Sequence, residues 1–259
     1  MNQSEKRLFL IQSLLKERPE YRDLSIPSES DSQRQLLRGL MNIRAPQRTD
    51  AEFLKTQDAY LQGETAAKGI TDIAGLTPIQ PGLYLWQGDI TTLKCDAIVN
   101  AANSGMTGCY IPNHRCIDNA IHTFAGVELR LACAELMEQQ GHPEPTGQAK
   151  ITPAFNLPSR YVLHTVGPII SGRVTKADKE LLASCYRSCL ELAEKYEVKS
   201  IAFCCISTGV FMFPNERAAE IAVRTVKKYY EDTGSRMKVV FNVFKDEDLA
   251  IYRTLLYHQ

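Results

Sequence analysis

Three potential metal ligands, Cys109, His114 and Cys116, lie within one short segment of the sequence. Zinc prefers thiolate and imidazole ligands, and a zinc ion with three protein ligands keeps a coordination position for water or substrate. A Pro-Asn pair within the segment favours a loop that brings the three side chains together. The spacing matches no structural zinc finger, and a cysteine-rich chain can bring such residues together by chance. The spacing nevertheless favours a metal site, of the kind found in enzymes.

Polar side chains on both sides of this segment can contribute to the same chemistry. Asp118 lies two residues after Cys116, at an expected helix start, where the helix dipole already favours a carboxylate. Beside a metal it can also act as an acid–base group or orient water. Asn100 ends a buried strand pattern and Asn103 follows it, and their amides can bind sugar hydroxyls or cap a turn. We expect His122, one helical turn after Asp118, to pack or cap.

Two further loops have compositions that suit a nucleotide. Residues 88–91 read Gly-Asp-Ile-Thr after a strand pattern, and the carboxylate can accept a hydrogen bond from an exocyclic amine or a ribose hydroxyl. By itself this run is better explained as a turn. Residues 207–211 read Ser-Thr-Gly-Val-Phe before a helix start at Pro214, where main-chain amides suit a phosphate. An ordinary strand-to-helix loop explains the second run equally well.

The elements that position these residues alternate between strand and helix from about residue 76. We expect strands over 83–87, 96–100, 149–153, 161–165, 200–206 and 237–244, and helices over 117–124, 127–140, 176–196, 214–230 and 246–257. This alternation predicts a three-layer α/β/α sandwich with a mixed or mostly parallel central sheet. Because ligands bind at the carboxyl ends of strands in such folds, the loops at 88–90, 100–118 and 207–213 should meet in one crevice.

The first 75 residues differ from the rest, with three helical patterns and no strand pattern. We expect a small helical N-terminal extension over 1–75, followed by one α/β domain over 76–259. The extension is too short to bury a stable core alone, so it should dock on the domain. Two capping-box pairs mark the expected starts of its second and third helices: Ser30 with Gln33, and Thr49 with Glu52.

Charge and composition exclude several classes of protein. The 259 residues carry 30 basic and 30 acidic side chains and no long basic run, so we expect no nucleic-acid partner. No apolar run is long enough to cross a membrane, and no signal-peptide pattern is present. The eight cysteines are irregularly spaced, and several lie in apolar runs, as free thiols do in a reducing compartment. We therefore expect a cytoplasmic protein.

Taken together, the motifs resemble those of the macrodomain family of ADP-ribose-binding proteins. The resemblance covers roughly residues 80 to 257 and is highly specific in order and spacing. It is carried by Gly88-Asp89-Ile90-Thr91, Asp96-Ala97-Ile98-Val99-Asn100-Ala101-Ala102-Asn103, Ile117-Asp118-Asn119-Ala120-Ile121-His122, His164-Thr165-Val166-Gly167-Pro168 and Ile206-Ser207-Thr208-Gly209-Val210-Phe211. The hydrolytic branch of the family has a glycine-rich stretch where this chain has residues 108–116. That departure resembles the zinc-containing macrodomains of microbes, which carry a helical N-terminal extension and remove ADP-ribose from modified proteins.

The resemblance implies a role for each motif. Asp89 and Ile90 would contact adenine, Phe244 would stack near it, and Asn103 would hold the distal ribose. The implied ADP-ribose contacts are Asp89, Ile90, Asn103, Ser207, Thr208, Gly209, Val210, Phe211 and Phe244. The implied zinc ligands are Cys109, His114 and Cys116, and the implied catalytic residues are Asp118 and Asn103.

The resemblance also implies the substrate, a protein that carries mono-ADP-ribose on an Asp or Glu side chain. Some microbial members accompany a sirtuin-type ADP-ribosyltransferase and a lipoyl-carrier protein, which is therefore a candidate partner. Two thiolate ligands reduce the Lewis acidity of zinc, so we favour a zinc ion that positions the substrate and polarises one of its oxygens. Asp118 would then activate the water.

Three other interpretations compete with this one. The chain can be a reader that binds ADP-ribose without cleaving it, because the fold supports both roles. The metal can be structural if Cys95 or His122 supplies a fourth ligand, although Cys95 precedes the strand at its opposite end. A zinc amidohydrolase or nucleotide deaminase requires a Cys-x-x-Cys or His-x-Glu pattern, and neither Cys204-Cys205 nor Cys185-x3-Cys189 supplies it.

Overall fold

The fold was established from a computed structural model that describes residues 1–21 and 23–257. Residues 258 and 259, the end of the expected 76–259 domain, lie outside the described residues. The helices in chain order are α1 (Gln3–Lys16), α2 (Ser30–Ile43), α3 (Ala51–Lys68), α4 (Ile117–Ala125), α5 (Val127–Gln140), α6 (Lys176–Lys195), α7 (Asn215–Thr233) and α8 (Asp246–Tyr257). The strands are β1 (Thr71–Asp72), β2 (Leu83–Gln87), β3 (Leu93–Lys94), β4 (Ala97–Ala102), β5 (Ala149–Pro153), β6 (Tyr161–Val166), β7 (Ser200–Phe203) and β8 (Lys238–Val243).

The central sheet has the strand order β2-β8-β7-β4-β6-β5. All neighbours are parallel except β5, which runs antiparallel to β6. Helices α6, α7 and α8 contact one another in turn and form one layer, and α4 and α5 form the other. The predicted α/β/α sandwich with a mixed sheet is therefore confirmed.

The central strands are apolar along their length because helices cover both of their faces. Ile98 and Val99 of β4 and Ile201 of β7 are fully buried in the main core. The predicted strand over 200–206 is too long, since β7 ends at Phe203. Beyond it the chain turns into a loop in which Ser207 has a left-handed backbone with φ 66°. The residues after Phe203 therefore belong to the loop that leads to α7 and not to the strand.

The three N-terminal helices share a separate apolar cluster. Leu10 of α1, Leu37 of α2 and Phe53 of α3 are buried in it, and Val127 of α5 joins them from the α/β region. This contact docks the helices on the rest of the chain. The strand β1 already pairs with β3, so the sheet-forming part of the chain begins by residue 71. The expected division near residue 75 stays a prediction.

Both predicted capping boxes are wrong, although both helices exist. The residue before α2 is Glu29, which makes no side-chain cap, and Gln33 instead accepts a hydrogen bond from the buried Arg7. The cap of α3 is Asp50, whose carboxylate accepts from the Phe53 N–H, in place of Thr49. Across the described residues, every helix falls short of the length or apolar character needed to cross a bilayer.

Candidate active site and metal centre

The candidate residues follow the carboxyl ends of neighbouring parallel strands. Asp89 follows β2, Phe244 follows β8, Ser207 lies in the loop after β7, and Asn103 follows β4. Main-chain hydrogen bonds connect neighbouring segments at this edge. The Ile170 N–H after β6 donates to the Phe211 carbonyl at 2.9 Å, and the Gly88 N–H donates to the Val243 carbonyl at 3.0 Å. Because parallel strands end at one edge of the sheet, the loops form a single candidate ligand-binding edge.

The three expected metal ligands lie together in the structure. The ligand atoms of Cys109, His114 and Cys116 are all within 4.8 Å of one another, and Cys109 Sγ lies 3.5 Å from His114 Nδ1. Asn113 makes this possible, because its left-handed backbone, with φ 56°, curls the segment. All three ligands are half-buried. Two thiols and one imidazole at these separations fit a zinc ion with three protein ligands.

Cys116 has a second role as the N-cap of α4. Its Sγ accepts a hydrogen bond from the Asn119 N–H at 3.4 Å. Burial raises the pKa of the Cys116 thiol to about 11. Metal binding therefore has to displace the thiol proton, as it does at other cysteine sites.

The considered fourth ligands do not join this group. Cys95 Sγ bonds to the Ala97 carbonyl at the amino end of β4. His122 belongs to a different buried group, with Cys133 and His164. Among the described residues, the donor group around Cys109 contains three side chains, which leaves a coordination position for water or substrate.

Asp118 is held by two amides from β4 and the residue that follows it. Its Oδ1 accepts from Asn100 Nδ2 at 2.8 Å, and its Oδ2 accepts from Asn103 Nδ2 at 3.2 Å. The side chain is nearly fully buried. Burial raises the pKa of Asp118 to about 6, against the opposing hydrogen bond of Asn100, the charge of Arg130 and the hydrogen bond of Asn103. The two amides therefore fix one carboxylate in the first turn of α4, two residues after the expected ligand Cys116.

A buried histidine pair supports this carboxylate from behind. His122 packs under Gly108, and its Nε2 lies 3.5 Å from Asp118 Oδ1. His164 contacts Asn100 Nδ2 through Nδ1 at 3.2 Å and Thr152 Oγ1 through Nε2 at 2.9 Å. Both rings are buried, and burial lowers the pKa of each. The pair therefore acts as a neutral scaffold, in agreement with the expectation that His122 packs.

The loop after β2 places Asp89 beside the N-terminal helices. Its Oδ1 accepts from the Thr91 N–H at 3.0 Å, and its Oδ2 pairs with Lys68 Nζ at 2.9 Å. Burial raises the pKa of Asp89, but the bonds from Thr91 and Lys68 lower it further, so the net direction is downward. Lys68, the last residue of α3, also lies over the Phe124 ring at 3.3 Å. The Ile90 side chain is buried in the core, and its carbonyl accepts from the Leu93 N–H, so the expected contact of Ile90 with adenine does not involve the side chain.

The loop after β7 is shaped by its neighbours. A side chain at Gly167 would collide with Ser207 Oγ, so the two loops approach closely. The Ser207 hydroxyl is buried and has no hydrogen-bond partner in the part of the chain that the structure describes. Val210 is 69% exposed and Phe244 is 75% exposed, so both side chains are free to contact a ligand.

Sequence reasoning missed the residues that the N-terminal helices and α5 contribute to this edge. They are Arg38, Asn42, Lys68 and Arg130. Their partners in the site are 21 to 76 residues away for these bonds, so no local motif identifies them.

Comparison with known proteins places the chain in a family. Residues 99–222 match the family called Macro domain. A protein of Treponema medium named protein-ADP-ribose hydrolase is 60% identical over 260 residues, which cover 99% of this chain and 100% of the relative. A Staphylococcus aureus (strain MSSA476) protein with the same name is 51% identical over 247 residues, which cover 95% of this chain and 92% of the relative.

Solved structures give the same result. The Trypanosoma brucei macrodomain in complex with ADP-ribose is 31% identical, has a TM-score of 0.66, and covers 84% of this chain and 94% of its own. A mutant of the Oceanobacillus iheyensis macrodomain with ADPR is 39% identical, has a TM-score of 0.64, and covers 71% of this chain and 96% of its own. With close relatives that extend over its N-terminal helices as well, this chain belongs to the macrodomain family and is a hydrolase.

Proposed function

We propose that this chain is a zinc-dependent protein-ADP-ribose hydrolase that removes mono-ADP-ribose from Asp and Glu side chains of target proteins. The observation that carries the proposal is the position of Asp118. It is bonded to Asn103 and lies two residues after Cys116, at one end of a ligand-binding edge. The names of the relatives and the ADP-ribose complexes of structural neighbours support the same substrate class.

The residues divide the substrate between them. The Asp89 carboxylate accepts a hydrogen bond from the adenine amino group, and the exposed Phe244 ring stacks near the base. Main-chain amides of residues 207–211 hold the diphosphate, which suits a loop that leads into the start of α7. The distal ribose then lies at the Asn103 end of the edge.

Asp118 is the group that moves a proton. Its carboxylate accepts a proton from a water molecule whose oxygen bonds to the anomeric carbon of the distal ribose. The bond to the target's carboxylate oxygen breaks, and the carboxylate leaves as an anion. A carboxylate leaves as a stable anion and requires no proton donor. Asp118 therefore needs to act only as a base in this step. General-base catalysis of this kind contributes about 10²–10⁴-fold.

Cys109, His114 and Cys116 would hold the zinc ion. A zinc ion bound there supplies positive charge that positions and polarises a substrate oxygen. We also propose a cytoplasmic location, which the irregular spacing of the eight cysteines supports. We also propose a lipoyl-carrier protein as a target and a sirtuin-type transferase as the source of the modification, on the family resemblance.

The test compares linkages and metal in one assay. Purified protein is incubated with Asp/Glu-linked and Ser-linked ADP-ribosylated proteins, with and without a chelator, and released ADP-ribose is measured. We expect release from the acidic linkage, loss with the chelator and recovery with added zinc. Binding without release over hours would instead identify a reader.

A matched pair of cysteine variants assigns the metal effect. Cys116→Ser keeps an N-cap of α4 but removes a soft ligand, and we expect it to lose zinc and activity while remaining folded. Cys95→Ala removes a thiol at the far end of β4 and should keep both. Full activity in Cys116→Ser would remove zinc from the mechanism.

A further inference from the structure

Residues 109–116, here called the metal loop, carry the three expected zinc ligands but have no helix or strand of their own. Main-chain N–H and C=O groups that leave solvent require hydrogen-bond partners, and a loop without regular structure must find them elsewhere. Most of the partners of this loop come from outside the central sheet. They come from α2, in the N-terminal helical extension, and from two side chains that α2 holds in place.

Arg38 on α2 makes the first set of contacts. Its Nη2 donates to the carbonyl of the ligand residue His114 at 3.1 Å. Its guanidinium also donates twice to Asn119 Oδ1, at 2.8 Å and 3.2 Å. Asn119 in turn donates from Nδ2 to the Ile111 carbonyl at 3.1 Å and from its main-chain N–H to Cys116 Sγ at 3.4 Å. One guanidinium therefore holds two ligand residues, one directly and one through Asn119.

Asn42, one turn further along α2, makes the second set. Its Oδ1 accepts from the Asn113 N–H at 3.0 Å, at the left-handed residue that curls the metal loop. Its Nδ2 donates to Thr123 Oγ1 on α4 at 3.0 Å. A Cβ atom on Gly39 would lie 3.3 Å from Asn113 Nδ2, so α2 approaches the loop at a glycine. A glycine inside a helix costs about 1 kcal/mol relative to alanine, and here it permits that approach.

The buried Arg130 of α5 ties the start of the loop to the end of α2. Its Nη1 donates to the carbonyls of Met41, Asn42 and Arg44, which the end of a helix leaves without helical partners. Its Nη2 donates to the Cys109 carbonyl at 3.5 Å, and its guanidinium lies 4.2 Å from the Tyr110 ring centre. Each of the three ligand residues is thus connected to α2.

We infer that Arg38 and Asn42 are positioning residues, through which the N-terminal extension holds the metal loop in its zinc-binding geometry. The inference deepens the proposed function, since the ion is the zinc of that proposal. A loop ordered in advance by α2 loses less conformational freedom when a metal binds, so its affinity is higher. Removing outer-shell partners of metal ligands typically weakens metal binding about 10–100-fold.

The test uses the full chain and the variant Arg38→Gln. Zinc affinity is measured by competition with a chromogenic chelator, and the coordination geometry by visible absorption of the cobalt-substituted protein. We expect about 10–100-fold weaker zinc binding and an altered cobalt spectrum. Arg38→Lys keeps the charge but cannot reproduce the forked contacts, so it should recover the affinity only in part. With zinc in excess, kcat should fall while KM changes little, because the nucleotide-binding loops are untouched.

The matched control is Gln62→Ala. Gln62 on α3 donates to Asn156 Oδ1 at 3.1 Å, so it docks the same extension away from the metal loop. We expect it to keep wild-type zinc affinity. Equal loss of affinity in both variants, unchanged affinity in Arg38→Gln, or a wild-type chain that holds no zinc would each overturn the inference. Because zinc affinity is read without turnover, a wild-type protein that binds zinc but releases no ADP-ribose would contradict the proposed function alone.

Discussion

Asn103 donates its side-chain amide to Asp118 Oδ2 at 3.2 Å. The same nitrogen donates to the Gly108 carbonyl at 3.1 Å, and Asn103 Oδ1 accepts from the Gly105 N–H at 2.9 Å. The two amide hydrogens of Asn103 are therefore both in use. A sugar hydroxyl that binds here must donate to the remaining lone pair of Oδ1 or displace one of these bonds. Asn103, which is expected to hold the ribose, therefore also fixes the position of Asp118, the proposed base.

The first prediction separates this base from ligand binding. Replacing Asp118 by Asn keeps the size of the side chain but removes the group that accepts the water proton. We expect kcat to fall about 10²–10⁴-fold, while ADP-ribose and zinc still bind. Single-turnover release of ADP-ribose gives the rate, and calorimetry gives the binding.

Asp118→Ala controls for the new amide, whose N–H₂ would face the Asn103 donor. Both variants should have the same low rate if the proton acceptor is what matters. A rate in Asp118→Asn close to that of the wild type would show that another group activates the water.

The second prediction concerns the adenine end. Asp89→Ala removes a carboxylate, and hydrogen bonds to charged groups contribute about 1.5–3 kcal/mol. We therefore expect the dissociation constant for ADP-ribose to rise about 10–100-fold, with zinc affinity unchanged. Lys68→Ala keeps the carboxylate and removes its partly exposed ion pair together with the Lys68 contact on the Phe124 ring, so its effect on ADP-ribose affinity should be small. An equal effect of the two variants would mean that Lys68 itself contacts the nucleotide.

The third prediction concerns Gly108, which has φ 85° and lies against the His122 ring. An alanine Cβ there would lie 2.8 Å from His122 Cγ, and the left-handed backbone would be strained as well. Gly108→Ala should lower the free energy of unfolding by about 1–3 kcal/mol. It should also reduce activity, because the Gly108 carbonyl holds Asn103. Urea unfolding and turnover measure the two effects.

Gly105→Ala is a suitable control for this loop. Gly105 is exposed and has no positive φ, and a Cβ there would have ordinary room apart from Asn103 Oδ1 at 3.1 Å. We expect a smaller loss of stability than in Gly108→Ala. If both variants unfold with the wild-type free energy, the packing of Gly108 on His122 is not a constraint.

What the sequence could predict follows from the range of each interaction. The predicted strand 149–153 and helix 127–140 have the observed bounds, and Gly126 and Gly141 flank the helix on its two sides. The proximity of the three expected metal ligands was also predictable, since Cys109, His114 and Cys116 lie on one loop. The caps failed for different reasons: Thr49 competes with the adjacent Asp50, which caps α3, whereas α2 begins after Glu29, which makes no side-chain cap.

The contacts around the metal loop could not be predicted in this way. Arg38 and His114 are 76 residues apart, and their bond exists only because α2 docks against α4. No periodicity or motif encodes that docking. The charged side chain of Arg38 reads in the sequence as part of an ordinary solvated helix face. The candidate site residues that lie on one loop could be identified from the sequence. Those that the N-terminal helices contribute, such as Arg38, could not.

The last prediction concerns the dependence of stability on pH through His164. This ring is fully buried and is faced by Asn100, Thr152, Cys133 and His122. Burial lowers its pKa from the ordinary value of 6.5 to about 3. In the unfolded chain the imidazole takes up a proton near its ordinary pKa, and in the folded chain it stays neutral. The contribution of His164 to stability is therefore complete above pH 6.5 and is lost as the pH falls from there toward 3.

In His164→Gln this term is absent at every pH. The free energy of unfolding of the wild type should exceed that of the variant most at neutral pH, and the difference should shrink by about 1.4 kcal/mol per pH unit below about pH 6. Asp118 and His122 titrate in both proteins, so their contributions largely cancel in this difference. Urea unfolding at several pH values gives the two curves. Parallel curves would show that the folded protein protonates His164 as readily as the unfolded chain does, and that the ring is not the neutral support of Asn100 that its burial indicates.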